Sequence, residues 1–384
     1  MLRTLLHRPG PIALDIGQDG IRMLQLEAVG KAMSAVAAAR WEWPTGASTD
    51  PAVRRQMMID AVREMLSAGH FHGRRVASCL PFADLALRQV RLPPMSDEEL
   101  AKAVQWEANE RFGFPVSPEL LHHVVAGEVH QGGEGRCEVL LMATTEDVVE
   151  ARVALLDAMG LRPTCIDAEP ACLFRTQERF LRRDGDAGVV TVLAEVGQSG
   201  TRVLISRGRQ VKLLKWIDIG GARLNQAVAD HLHLSLEDAR QLRVRLMRQG
   251  WEGPEVAATA VGGRDVYEAV HDAVRPVLEE LGKEVNLCLR YCAVTFRGGR
   301  ADSLMLLGGQ AYDPCLREQL AEATNLPCTC GRPLQGVDLS RVDLGTDARG
   351  PMSEWAVAAG LALRDLFDKN SRREVRHELN RLPA

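Results

Sequence analysis

Hydrophobic and polar positions outline this chain as a series of short strands and amphipathic helices, and one of its patterns occurs twice. Residues Leu14 to Leu24 read L-D-I-G-Q-D-G-I-R-M-L, and residues Ala194 to Leu204 read A-E-V-G-Q-S-G-T-R-V-L. Each is an apolar run, a G-Q-x-G turn and a second apolar run, the pattern of a tight β-hairpin. Each also has an acid two places before its first glycine, Asp15 and Glu195, and an arginine five places after it, Arg22 and Arg202. A single distant pair of repeats predicts two similar lobes rather than a solenoid.

Between the copies the period shifts repeatedly. Ala32 to Trp43 is strand-like and stops at Pro44. Asp50 and Pro51 then open a helix with Met58, Val62, Met65 and Leu66 on its apolar stripe and Gly69 at its end. Arg75 to Leu80 is a strand, and Leu85 to Leu92 alternates. Ser96-Asp-Glu-Glu99 is a capping box ahead of a helix striped by Leu100, Val104 and Ala108, with Trp106 off the stripe and expected to cover a neighbouring strand. Strands at Leu120–Val129 and Glu138–Ala143 follow, then a helix capped by Thr144-x-x-Asp147, then a strand at Pro163–Ile166. This stretch, 75–166, is predicted to be a β-α-β-β-α-β module inserted into the first lobe.

After the second hairpin, a strand at Val211–Ile219 runs into Gly220-Gly221 and a helix. Ser235-Leu-Glu-Asp238 caps another helix. Arg264 to Val294 is a long helix in which Pro276 is expected to begin a new segment. The strand Ser303–Leu307 ends at Gly308-Gly309, a helix spans Asp313–Thr324, and a helix at Ser353–Leu366 returns to the first lobe. The predicted architecture is α/β, with a first lobe of 1–74, 167–187 and 346–368 and a second lobe of 188–345.

Composition narrows the function. The 384 residues are 46% apolar, enough for two or three packed domains, and the formal charge of −4 does not suggest a nucleic-acid binder. No apolar run approaches the ~20 residues a membrane span needs. The nine cysteines lack zinc-ligand spacing and read as reduced core residues of a cytosolic protein. The repeated hairpin has specific chemistry. Its glycines let backbone N–H groups approach an anion, and an acid at the end of the preceding strand can hold Mg²⁺ through water.

The chain resembles the actin-like ATPase superfamily, whose two lobes carry matching phosphate hairpins and an adenosine-contacting Gly-Gly. Within it, the chain is most similar to the PilM family of cytoplasmic type IV pilus assembly components, relatives of the cell-division protein FtsA. The stretches that carry the resemblance are A-L-D-I-G-Q-D-G-I-R, R-L-P-P-M-S-D-E-E-L-A-K-A-V-Q-W-E-A, A-T-T-E-D-V-V-E, G-L-R-P-T-C-I-D-A-E-P, I-D-I-G-G-A-R-L and L-L-G-G-Q-A. The resemblance implies an actin-like fold binding ATP and Mg²⁺, with Asp15 and Glu195 facing the metal across a cleft. Phosphates would be held by Gly17, Gln18, Gly20 and Arg22, and by Gly197, Gln198, Ser199, Gly200 and Thr201. Gly220, Gly221, Gly308 and Gly309 would approach phosphates and adenosine, Arg243 would stand near the ribose, and Glu169 would position a water.

Several positions depart from the family pattern. Gln18, Asp19, Gly20 and Arg22 replace hydroxyl residues and a lysine, Glu195 replaces an aspartate, and Arg240 stands where a glutamate is usual. These departures imply weak or structural nucleotide binding with slow turnover. The alternatives are an active ATPase driving lobe closure in a type II secretion or competence system, and a small-molecule kinase. The implied partner is a PilN-like single-span inner-membrane protein, whose short N-terminal peptide, roughly I-N-L-L-P, docks between first lobe and module. That would place the protein peripherally at the inner membrane, near the pilus platform and its motor ATPase. The basic tail 369–384 ends in Leu379-Asn-Arg-Leu-Pro383, which resembles that peptide and suggests a competitor for its groove.

Overall fold

A computed structural model describes residues 9–364 apart from 31, 45, 132, 182, 249–251, 298 and 345–349. The tail 369–384 lies outside the described residues. In chain order, β1 (Ile12–Ile16), β2 (Gly20–Val29) and β3 (Ala32–Glu42) form a meander. Helix α1 (Pro51–Ala68) leads to β4 (Arg75–Leu80). Then come β5 (Ala86–Leu92), α2 (Asp97–Phe112), β6 (Leu121–Gln131) and β7 (Glu134–Ala143). They are followed by α3 (Glu146–Ala158), β8 (Arg162–Ala168) and α4 (Glu169–Glu178). A second meander is β9 (Val190–Val196), β10 (Thr201–Arg207) and β11 (Gln210–Ile217). Helices α5 (Gly221–Leu232), α6 (Leu236–Arg248), α7 (Pro254–Ala260) and α8 (Arg264–Phe296) precede β12 (Leu304–Leu307). The remaining elements are α9 (Pro314–Thr324), β13 (Cys328–Cys330), β14 (Val337–Asp338) and a helical stretch over 356–364.

The described chain divides into two compact units: 9–81, 150–177 and 332–364, and 82–149 with 178–331. The first holds a six-stranded sheet in the order β14-β3-β2-β1-β4-β8, and the second a five-stranded sheet in the order β11-β10-β9-β12-β13. Apart from β14, which has no counterpart in the second sheet, the two match strand for strand. In each, a three-strand antiparallel meander is extended from its first strand by two parallel strands. The repeated hairpin occupies the same place in both, at β1–β2 and β9–β10.

Sequence chemistry explains these elements locally. Asp50 caps α1, its carboxylate accepting from the Ala52 and Val53 amides, with Pro51 at the first helical position. Ser96 and Glu99 form the reciprocal capping box of α2. Ile12, Ala13 and Leu14 of β1 are fully buried, as a strand with neighbours on both sides requires.

The structure also departs from the sequence reading. The module is smaller than 75–166, because β4 and β8 pair parallel with each other and β4 with β1 in the first sheet. Leu155 and Leu156 of α3, and Met159 just after it, pack into that unit's core. What remains is the three-stranded sheet β5-β7-β6 covered by α2, around Val90, Val104 and Leu141. It interrupts the first unit in the chain but packs with the second, where Gln210 donates to the Val125 carbonyl and Tyr291 to Glu138.

The second lobe also ends earlier than 345, because β14 pairs with β3 of the first sheet. Thr144 caps no helix; its hydroxyl donates to the Asp84 carbonyl. Trp106 covers no strand and is 63% exposed. Helix α8 continues through Pro276, held by buried Val274, Leu278 and Leu281 on either side of the lost hydrogen bond. Helix α7, β13 and β14 are too short or too weakly patterned to have been read.

The helical stretch 356–364 returns to the first unit, as expected, and crosses α4 at Gly360. A β-carbon at Gly360 would collide with the Cys172 backbone carbonyl, and the Gly360 carbonyl accepts from Arg175 at 2.7 Å. Gly360→Ala is therefore expected to cost about 1–3 kcal/mol in urea unfolding, the usual range for overpacking. Gly135→Ala, where a β-carbon meets nothing within 4 Å, should leave stability unchanged.

Candidate functional site

In open α/β sheets, ligands sit beyond the carboxyl ends of the parallel strands. The sequence-predicted residues gather at those ends in each unit. In the first, Asp15 is near the end of β1, and Glu169 opens α4 directly after β8. Both are buried, at 8% and 7% exposed. Between β1 and β8 lies β4, whose Cys79 thiol is pushed well up. The causes are its hydrogen bond with Cys172, burial, and the nearby Asp15 and Glu169 carboxylates. Two predicted acids from distant parts of the sequence thus flank one strand end. Glu169 also stands in the first turn of a helix, where the backbone dipole favours negative charge.

The β1–β2 turn closes with the Gly17 amide donating to the Gly20 carbonyl, leaving Gln18 and Asp19 at the exposed tip. Arg22 lies opposite Asp15 in the strand register and reaches forward to Asp19 at 2.7 Å. Burial works against the Arg22 charge, but Asp19, Asp15 and Glu354 outweigh it, and its pKa is raised. The added negative charge of Asp19 is therefore met by the arginine of the same hairpin.

In the second unit four predicted pieces converge. The β9–β10 turn closes in the same way, Gly197 amide to Gly200 carbonyl at 3.0 Å. Glu195 faces Arg202 across the strand pair, and the two form an ion pair. Gly308, at the end of β12, lies against that carboxylate: a β-carbon there would stand 2.6 Å from Glu195 Oε1. Gly308 also has φ +83°, a backbone region that L side chains rarely adopt. Gly220 and Gly221 are pressed onto the hairpin. A β-carbon on Gly220 would lie 2.7 Å from the Gly197 carbonyl oxygen, and one on Gly221 would lie 2.7 Å from Gln198 Oε1.

Beneath these loops, Arg243 is fully buried. It donates to Asn225 Oδ1 (2.8 Å), Gln310 Oε1 (2.8 Å), Asp313 Oδ2 (2.7 Å) and, at 3.4 Å, the Gly221 carbonyl.

Three residues have duties other than those the resemblance implies. Thr201 is fully buried and its hydroxyl donates to the Ile219 carbonyl, tying the hairpin to the strand end that leads into Gly220. The Gly221 and Ala222 amides donate to the Gly197 and Gln198 carbonyls, so the first amides of α5 serve the hairpin rather than an anion. Arg243 holds the glycine loops from behind, with its guanidinium enclosed. None of this was legible in spacing alone. Asp313 also caps α9 through the Cys315 amide. Arg240 pairs with Glu237 on the exposed side of α6.

The pair between Arg243 and Asp313 makes a direct prediction. Removing one partner leaves the other buried and uncompensated, which costs about 3–5 kcal/mol. Arg243→Met should therefore lower unfolding free energy by about that amount, whereas the double variant with Asp313→Asn should recover a large part of it in a double-mutant cycle.

The sequence profile described as "Type IV pilus assembly protein PilM" matches residues 13–366. A solved structure described as "PilM-PilN type IV pilus biogenesis complex" is similar at TM-score 0.70 and 23% identity, over 92% of this chain and 98% of that one. The ethanolamine utilization protein EutJ from Carboxydothermus hydrogenoformans is similar at TM-score 0.52 and 12% identity, over 93% and 89%. Sheet topology and a profile match across most of its length agree: the chain belongs to the PilM family of type IV pilus assembly proteins and has the actin-like ATPase fold.

Proposed function

We propose that this protein is a nucleotide-responsive scaffold of a type IV pilus platform, binding Mg-ATP with turnover near background. The observation that carries the scaffold reading is the family match over 13–366. The nucleotide reading is supported by the second unit's glycine loops, which converge on one hairpin over the Arg243 frame. Slow turnover is supported by the state of the acids. Glu195 is engaged by Arg202 and Asp19 by Arg22, which weakens their hold on a metal. Among the described residues no three of His, Cys, Asp and Glu gather within metal-binding reach. Mg²⁺ would therefore rest mainly on phosphate and water, with Asp15 as its candidate in the first unit.

Calorimetry with Mg-ATP is expected to give saturable binding, and phosphate release should barely exceed background. Brisk turnover abolished by Glu169→Ala would overturn the slow-site reading in favour of a working ATPase. No heat at millimolar ATP would make the chain a pseudo-ATPase.

We also propose that it docks the N-terminal cytoplasmic peptide of a PilN-like single-span membrane protein. The related structure is described as a complex of PilM with PilN. Among the described residues no helix is long and apolar enough to cross a membrane, so such a peptide would supply recruitment. The exposed Trp106 on α2 is a candidate anchor of the kind that dominates peptide interfaces. A synthetic peptide from the partner should bind the full chain saturably. Trp106→Ala should weaken it about tenfold, the ~1.4 kcal/mol typical of a modest hot spot. Unchanged affinity in that variant would move the docking surface off α2, and no binding by the full chain would refute the partner.

A further inference from the structure

A cavity of about 240 Å³ opens in the second unit, between the β10–β11 strands and the C-terminal half of α8. It takes no part in the nucleotide or peptide readings above. Its walls are apolar, formed by Ile205, Leu289, Phe296 and Leu326. Its charge is one-sided. Among the described residues four basic ones line it, Arg207, Lys212, Arg290 and Arg300, and no acidic one, in a chain whose net charge is −4. Arg207, Arg290 and Arg300 are exposed and Lys212 is buried, so the positive charge runs from the surface into the hollow.

A second observation points to a ligand. Ser206 lines the same cavity, is fully buried, and its hydroxyl has no hydrogen-bond partner. Buried hydroxyls are nearly always satisfied, and one left unmade costs about 1–3 kcal/mol. The register of β10 against β11 shifts between Ile205 and Ser206. Such a bulge re-aims a side chain, and here both neighbours line the hollow instead of alternating across the sheet.

Lys212 adds a link. Its ammonium donates to the Ala126 carbonyl of β6 and lies 4.8 Å from the Phe296 ring centroid. Burial, and then the neighbouring Arg207, lower its pKa. An anion beside it would relieve both effects. It sits where the cavity meets the module, at the bulge of β6 between Val125 and Gly127.

We propose that this cavity is a binding site for a small anionic amphiphile: a carboxylate or phosphate head on an aliphatic body, the head held by Lys212, Ser206 and the arginines. The volume corresponds to about eight liquid-water volumes, so the body is on the order of ten non-hydrogen atoms, the size of a medium-chain fatty acid. The same chemistry is offered by a free acid and by the acyl end of an anionic lipid.

The test uses the full chain, with octanoate as the probe and octan-1-ol as its uncharged match, each titrated by calorimetry and by displacement of anilinonaphthalene sulfonate. Octanoate is expected to bind saturably and at least about tenfold more tightly than octanol, a difference of ~1.4 kcal/mol. Arg207→Glu combined with Arg290→Glu should weaken octanoate by a similar factor. Both residues are exposed, so the melting temperature should hold. Ala293→Trp, at the exposed mouth of the cavity, should abolish binding by filling it. Cosedimentation with phosphatidylglycerol vesicles that is lost in Ala293→Trp would identify the ligand as a lipid chain. Octanoate binding without cosedimentation identifies a free acid. Absence of saturable octanoate binding at millimolar concentration, equal affinity for octanol, or octanoate binding untouched by Ala293→Trp each overturn the proposal.

Discussion

Helix α5 starts where it does because Gly220 at its cap and Gly221 at its first position put no side chain against the β9–β10 turn. With Gly220 and Gly221 there, its first amides reach the Gly197 and Gln198 carbonyls, and the turn is held as part of the helix terminus. Gly308 then brings the end of β12 against Glu195, and Arg243 bonds Gly221, Gln310 and Asp313 from below. Each contact presupposes the previous one. A side chain at any of the three glycines would meet backbone or buried polar atoms within 3 Å, so the second unit's candidate site depends on a chain of close backbone approaches.

Much of this is legible in the sequence, and for physical reasons. Glycines that permit close approach cannot be replaced by other residues without collision, so G-Q-x-G, Gly220-Gly221 and Gly308-Gly309 announce turns and contacts directly. The acid opposite arginine recurs because both hairpins use the same two-residue turn, which fixes Asp15 against Arg22 and Glu195 against Arg202. Capping residues marked the starts of α1 and α2 for the same kind of reason.

What stayed hidden was tertiary. Nothing local distinguishes β4 and β8 as members of a central sheet rather than edges of a module. Parallel pairing joins residues that are distant in sequence, such as Leu80 with Ala168. The burial of Arg243 and Thr201 could not be read either. A buried arginine has the same local pattern as an exposed one, and only the partners at Asn225, Gln310 and Asp313 decide its place.

The sheet order carries a consequence for how such a chain can grow. Strand β4 runs parallel to its neighbour β8, so the segment after Leu80 leaves at one end of the pair and must return to Arg162 at the other, a crossover that α3 completes. Loop-closure entropy rises only slowly with length, so a crossover slot of this kind admits a whole folded subdomain at little more cost than a single helix. The second unit has the same slot between β12 and β13, where α9 makes the plain crossover. The two halves of one architecture thus record the same opening in two conditions, extended by a module in one and left at its minimum in the other.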